Sequence, residues 1–269
     1  MRITRRTLLA SLTLRAAEDL RTAFARMYDF DFPAAHAIVD RYIAATPNDP
    51  MGYAARGAAH LFSELDRLGI LATEFFTDDK RIADKKKPQP DPNIRNAFYW
   101  ATTQARERVD KILAGDPHDK NALMAASATY GMLTDYAAFV EKKQLSSLTT
   151  AKQAQSYAVR LLAIDSSYGD AYLTTGITEY LLGSLPFFFK WFVKFEQAKG
   201  SKEQAVTNLK IVASKGRYFG PFARILLAVV ALREKRKSEA RVWLEGLVKD
   251  YPANPLLRKE LEKLQKGKH

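Results

Sequence analysis

"LAGDPHDKNALMAASATYG", residues 113–131, decides how this chain folds. An amphipathic stretch ends at Gly115, an Asp-Pro-His-Asp turn follows, and an alanine-rich segment opens at once. Proline cannot continue a helix, because it lacks the amide hydrogen and its ring collides with the preceding turn. Aspartate can cap the next helix by accepting the free amides of its first turn. The string therefore predicts two helices joined by a tight turn. The same grammar recurs in "AATPNDPMGYAARGAAHLF" (44–62), "LAIDSSYGDAYLTTGITEY" (162–180) and "VKDYPANPLLRKELEKL" (248–264). Recurrence of one helix-turn-helix unit is the signature of a repeat array.

A second set of segments alternates with these. "FPAAHAIVDRYIAATP", "YWATTQARERVDKILAGDP", "TAKQAQSYAVRLLAIDSS", "SKEQAVTNLKIVASKG" and "SEARVWLEGLVKDYP" all place small or aliphatic residues at i, i+3, i+4 and i+7, the spacing of one helical face. Together the two sets resemble the tetratricopeptide repeat family. Its helix pairs carry small residues where two helices cross and a proline at the end of the second helix. The matching positions are Ala35 with Pro47, Ala105 with Pro117, Ala154 with Ser166 in place of proline, Ala205 with Gly216, and Ala240 with Pro252. Gly57, Gly131 and Gly176 take the small position of the first helix, where a missing side chain permits close approach.

The resemblance implies an all-α, right-handed superhelix of about five helix pairs, with a closing helix near Asn254–Gln265, over residues 16–269. It also implies a non-enzymatic scaffold holding a protein or peptide on a concave wall of first helices. Tyr130, Tyr136, Tyr172 and Tyr180 fall on first helices and are the expected partner contacts, with core packing as the rival role for tyrosines at helical spacing. Three segments interrupt the repeat: 65–93, 133–147 and 183–200. Each lies between the first and second helix of its unit, so the three are expected to emerge on one face.

The third insert contains Phe187, Phe188, Phe189, Trp191, Phe192 and Phe195 within nine positions. On a helix, Phe188, Trp191, Phe192 and Phe195 share the broad side with Phe187, opposite a stripe of Lys190, Lys194 and Gln197. Burying five such rings is worth about 20–30 kcal/mol of gross transfer free energy, so this surface needs a cover. Three covers are open: the neighbouring repeats, a partner, or an anionic membrane surface with the lysines at the headgroups. The last makes a peripheral membrane protein the alternative to the scaffold.

Charge is uneven. Of the net +12, residues 185–269 hold most, with 19 Lys+Arg against 8 Asp+Glu. Such an end attracts anionic partners. Lysine outnumbers arginine there, which argues against nucleic acid as the partner. Cysteine is absent, which excludes disulfides and thiolate chemistry. His36, His60, His118 and His269 lie far apart without metal-ligand spacing, and no phosphate loop or nucleophile elbow is present. The expectation is no cofactor and no metal.

Residues 1–15 open with Arg2, Arg5 and Arg6 and continue into the apolar run Leu8–Leu14. "TRRTLLA" resembles a twin-arginine export motif and points to a periplasmic or envelope location. A basic first helix of a cytoplasmic protein is the competing reading, because Arg15 ends the apolar run and no small-x-small cleavage site follows.

Overall fold

The computed structural model describes residues 20–72, 77, 89–184 and 200–267. Among them the regular structure is helical throughout. Residues 20–28 form α1, followed by α2 (Phe32–Ala45), α3 (Pro50–Arg67), α4 (Pro92–Gly115), α5 (Lys120–Asp135), α6 (Gln144–Ile164), α7 (Tyr172–Ser184), α8 (Lys202–Lys215), α9 (Gly220–Arg233), α10 (Lys237–Asp250) and α11 (Pro255–Gln265). A π-helical turn, Tyr136–Val140, continues α5, and a 3-10 turn, Gly169–Ala171, leads into α7. Odd-numbered helices are the first of each pair and even-numbered ones the second. The architecture is thus five helix pairs and a closing helix in succession, with α3–α4, α5–α6, α7–α8 and α9–α10 packed as pairs.

The turn residues act as their chemistry requires. The Asp49 carboxylate accepts from the Met51 amide at 2.9 Å and that of Asp119 from Ala122 at 2.7 Å, while Asn254 Oδ1 accepts from Leu256 at 2.9 Å. The loops before α4 and α8 use Asp91 and Ser201 in the same way. Asp170 departs from the rule. Its buried carboxylate reaches into the next unit and accepts from the amides of Arg217 at 2.8 Å, Tyr218 at 3.2 Å and Phe219 at 3.0 Å, which fixes the α8–α9 turn. A Cβ on Gly216 would lie 2.8 Å from Asp170 Oδ1, so this carboxylate occupies the space a side chain would need at the unit's closing position.

All five crossing alanines, Ala35, Ala105, Ala154, Ala205 and Ala240, are buried. Gly57 and Gly176 serve the close crossings expected of them: an added Cβ would meet Thr102 Cγ2 of α4 at 3.3 Å and Leu209 Cδ2 of α8 at 3.2 Å, respectively. Gly131 does not. A Cβ there meets nothing within 4 Å, because α5 borders open space at that point.

The ends of the array meet. Phe24 of α1 packs on Tyr218 and Phe219 at ring-centroid distances of 5.4 and 5.3 Å. Tyr28 Oη donates to the Tyr218 carbonyl at 3.2 Å, and Asn254 Nδ2 donates to the Tyr28 carbonyl at 2.7 Å. Phe62 of α3 touches Phe222 of α9 at 5.9 Å. Each open end of a helical array exposes an apolar flank; here the first and last units cover one another. The five first helices are thereby gathered around a common interior.

The inserts leave from one edge of the array: each departs at the C-terminal end of a first helix and returns at the start of a second helix. Two are closed by buried glutamates. Glu64 accepts from the Asp91 amide at 2.8 Å and from Arg67 Nε and Nη2 at 2.8 and 2.9 Å. Glu179 accepts from the Ser201 amide at 2.9 Å. The aromatic insert's Phe188, Lys190, Trp191, Phe192, Lys194 and Phe195 lie outside the described residues, as do residues 1–15 and His269.

Candidate functional site

The interior enclosed by the first helices is a cavity of about 500 Å³. Phe24 of α1, Ala58 and Phe62 of α3, Met132 of α5, Ile177 of α7 and Phe222 of α9 represent the five helices in its lining, and α6 contributes Leu148 and Ala151. This volume falls within the about 300–1,000 Å³ usual for small-molecule sites. The cavity reaches the surface beside the insert edge, where its lining includes the exposed Gln144 and Leu181, the latter 59% accessible.

Most polar lining groups are already engaged. Ser127 Oγ donates to the Ala154 carbonyl at 3.1 Å and lies 2.9 Å from Thr174 Oγ1. Thr134 Oγ1 donates to the Tyr130 carbonyl at 2.8 Å, and Ser147 Oγ donates to the Gln144 carbonyl at 2.7 Å. Asp135 is the one ionisable side chain in the lining, and no hydrogen bond or ion pair reaches its carboxyl among the described residues. Loss of water around it pushes its pKa up to about 7.

The four expected tyrosines do not line this interior. Tyr136 is fully buried, stacked on Phe98 at 4.6 Å and 13°, with its hydroxyl unpaired, so it has no surface to offer a partner. Desolvation, reinforced by Glu64, Tyr99 and Glu141, raises its phenol pKa well above the ordinary range. Tyr172 Oη donates to the Ser166 carbonyl at 3.0 Å, as Tyr53 Oη donates to Pro47 at 3.2 Å. Both phenols tie down the turn that ends the preceding unit. Tyr180 lies under Lys202 Nζ at 5.9 Å, on the insert edge. Tyr130 faces the outer surface, stacked on Tyr157 at 5.7 Å and 9°.

That outer surface holds a feature the sequence reading missed. On one side of α4, Trp100, 50% exposed, lies 6.0 Å from Tyr53, with Arg56 at 5.8 Å over its ring. On the other, Arg106 lies 5.6 Å over Tyr130 and Arg160 5.3 Å over Tyr157. Arg108 is structural, donating to the Pro47 carbonyl at 2.6 Å and to Tyr53 Oη at 2.8 Å. Arginines and aromatics from two consecutive units lie along α4 here, and no spacing within either unit announces it.

His36 and His60 were also separate in the sequence, yet their ring centroids are 4.4 Å apart. Burial, followed by the charges of His36 and Arg56, holds His60 down at about 4; burial and Arg56 lower His36 as well. Two neighbouring imidazoles make no metal centre alone, and no group of three His, Asp or Glu side chains able to hold a metal ion occurs among the described residues.

No protein-family model matches the chain. No curated protein matches it either. Among solved structures, a thermophilic TPR protein of Thermus thermophilus is similar over 93% of this chain and 98% of its own, at 17% identity and a TM-score of 0.49. The repeat architecture rests on the helix pairing itself: buried crossing alanines, capped turns and five successive pairs. Among the described residues no helix is long and apolar enough to cross a membrane.

Proposed function

We propose that this chain is a non-enzymatic helical-repeat scaffold that binds a protein or peptide partner on its outer surface. The observation that carries this reading is the half-exposed Trp100 together with the exposed Arg106 and Arg160, which lie over the partly buried Tyr130 and Tyr157 beside α4. Trp, Tyr and Arg are the residue types that dominate binding energy at protein interfaces, because they combine large apolar area with hydrogen-bonding tips and few rotamers to freeze. Groove recognition on a concave wall gives way in this reading, since contact between the first and last units narrows that wall to a partly open cavity.

Arg106 and Arg160 set a preference for an acidic partner, Arg56 being already paired with Asp40, and the basic last third of the chain adds long-range attraction. Affinity capture from the native host with the tagged chain identifies the partner. Trp100→Ala and Arg106→Glu are each expected to weaken its binding by about tenfold or more, and affinity to fall with added salt. Unchanged affinity in both variants refutes the assignment of this surface. Export through residues 1–15 belongs to the same proposal, and cell fractionation of the host tests it: a wholly cytoplasmic protein removes it.

A further inference from the structure

We propose that the interior cavity binds one single-chain amphiphile with a protonated amine head, its alkyl chain against the apolar lining and its ammonium group on the Asp135 carboxylate. This goes beyond the scaffold reading and does not depend on it.

Three observations converge. The lining around Phe62, Met132, Ile177 and Phe222 is apolar and comes from all five first helices, so an occupant is surrounded on most sides by hydrocarbon. The hydroxyls of Ser127, Thr134 and Ser147 are already hydrogen-bonded within the protein. A peptide segment would bring backbone N–H and C=O groups that need partners, and the lining has few to give. An alkyl chain makes no such demand. Third, Asp135 stands in this lining without a partner among the described residues. A carboxylate is purely an acceptor, so it selects a donor, and among donors a cation best offsets the cost of removing its charge from water. Its upward-shifted pKa reports that uncompensated cost and is the quantity an ammonium neighbour would lower.

The cavity also supplies its own control. Gly131 borders it, sits inside α5 and would place a Cβ in open space. Gly131→Leu therefore fills the cavity while replacing a poor helix former by a good one.

The test is native mass spectrometry of the full-length chain at about pH 8 with three probes of equal tail length, dodecylamine, dodecanol and dodecanoate, each below its micelle concentration. The expected result is one dodecylamine per chain, bound tighter than dodecanoate by on the order of tenfold. Asp135→Asn should remove that preference while changing dodecanol affinity by no more than about threefold. Gly131→Leu, checked for helical content by circular dichroism, should bind none of the three. Equal or tighter binding of dodecanoate, an unchanged amine preference in Asp135→Asn, or retained binding in folded Gly131→Leu each overturns the proposal. So does binding that emerges only when residues 185–199 are replaced by a Gly-Ser linker, which would assign the cavity to the chain's own insert. Should Gly131→Leu fail to fold, the Asp135→Asn comparison alone decides.

Discussion

Replacing Asp135 by asparagine should reshape how stability depends on pH, and the sign follows from where the carboxyl sits. Its folded-state pKa is raised from 3.8 to about 7 by desolvation, with no charged neighbour contributing. Between those values the folded chain keeps a proton that the unfolded chain has released. Stability must then fall as pH rises across this window and level off above it. A shift of roughly three units corresponds to about 4 kcal/mol, an upper bound that relaxation or water entry reduces. Asparagine is neutral, nearly isosteric with the protonated acid, and does not titrate. The variant should match the parent only at or below the unfolded value of 3.8, pull ahead as pH rises, and exceed it by about 2–4 kcal/mol near pH 8. The assay is urea denaturation at several pH values, comparing midpoints at constant slope. His36 and His60 contribute the opposite trend, gaining stability as pH rises towards 6.5, but they are common to both proteins and cancel in the difference. Parallel curves from pH 5 to 8 would show that Asp135 is hydrated or paired, and the cavity would lose its polar anchor.

Three further outcomes follow from particular contacts. Asp170→Ala strips three backbone amides of their buried acceptor and should cost about 3 kcal/mol or more, read as a lower denaturation midpoint, whereas Asp165→Ala at an exposed turn should cost far less. Gly176→Val should destabilise by about 1–3 kcal/mol because its Cβ drives into Leu209 of α8, while Gly131→Ala, beside open space, should stabilise by about 0.5–1 kcal/mol; thermal melts of the pair separate crossing from cavity. NMR titration should find both imidazoles below the usual histidine value with His60 the lower, and His36→Ala should raise the His60 pKa, since a charged His36 disfavours a second proton beside it; an unmoved His60 leaves burial and Arg56 as the causes.

Local chemistry was legible in the sequence and long-range geometry was not. Asp49, Asp119 and Asn254 cap the helices that follow them, because a cap is decided within three residues of chain. The crossing alanines were equally readable, since a buried small residue recurs at a fixed place in each unit. Asp170 has the same residue type in a similar turn, yet its partners lie 47 to 49 positions ahead. Nothing in "IDSSYGDAY" distinguishes a cap for its own helix from a brace for the next unit. The surroundings of the four tyrosines were hidden for a related reason. A helix places a ring on a face by its number, but which neighbour covers that face is set by the inserts. Tyr136 falls in the π-helical turn of the second insert and is carried into the Phe98 cluster.

Contact between the ends has the greatest consequence and the weakest local signal. Phe24, Tyr28 and Phe62 read as ordinary core residues of the first two units, and Tyr218, Phe219 and Phe222 as those of the fifth. Their meeting depends on the accumulated rotation of all five pairs, and small angular differences per unit decide whether an array stays open or bends back on itself. Once the ends meet, the concave wall narrows to a cavity that opens beside the insert edge. Side chains that would line a groove become the lining of a cavity, and a single carboxyl at Asp135 acquires a meaning it would lack in water. The two proposed sites thereby divide between the outside and the inside: Trp100 and its neighbouring arginines for a macromolecule, and an inner apolar chamber for a molecule thin enough to enter beside Leu181.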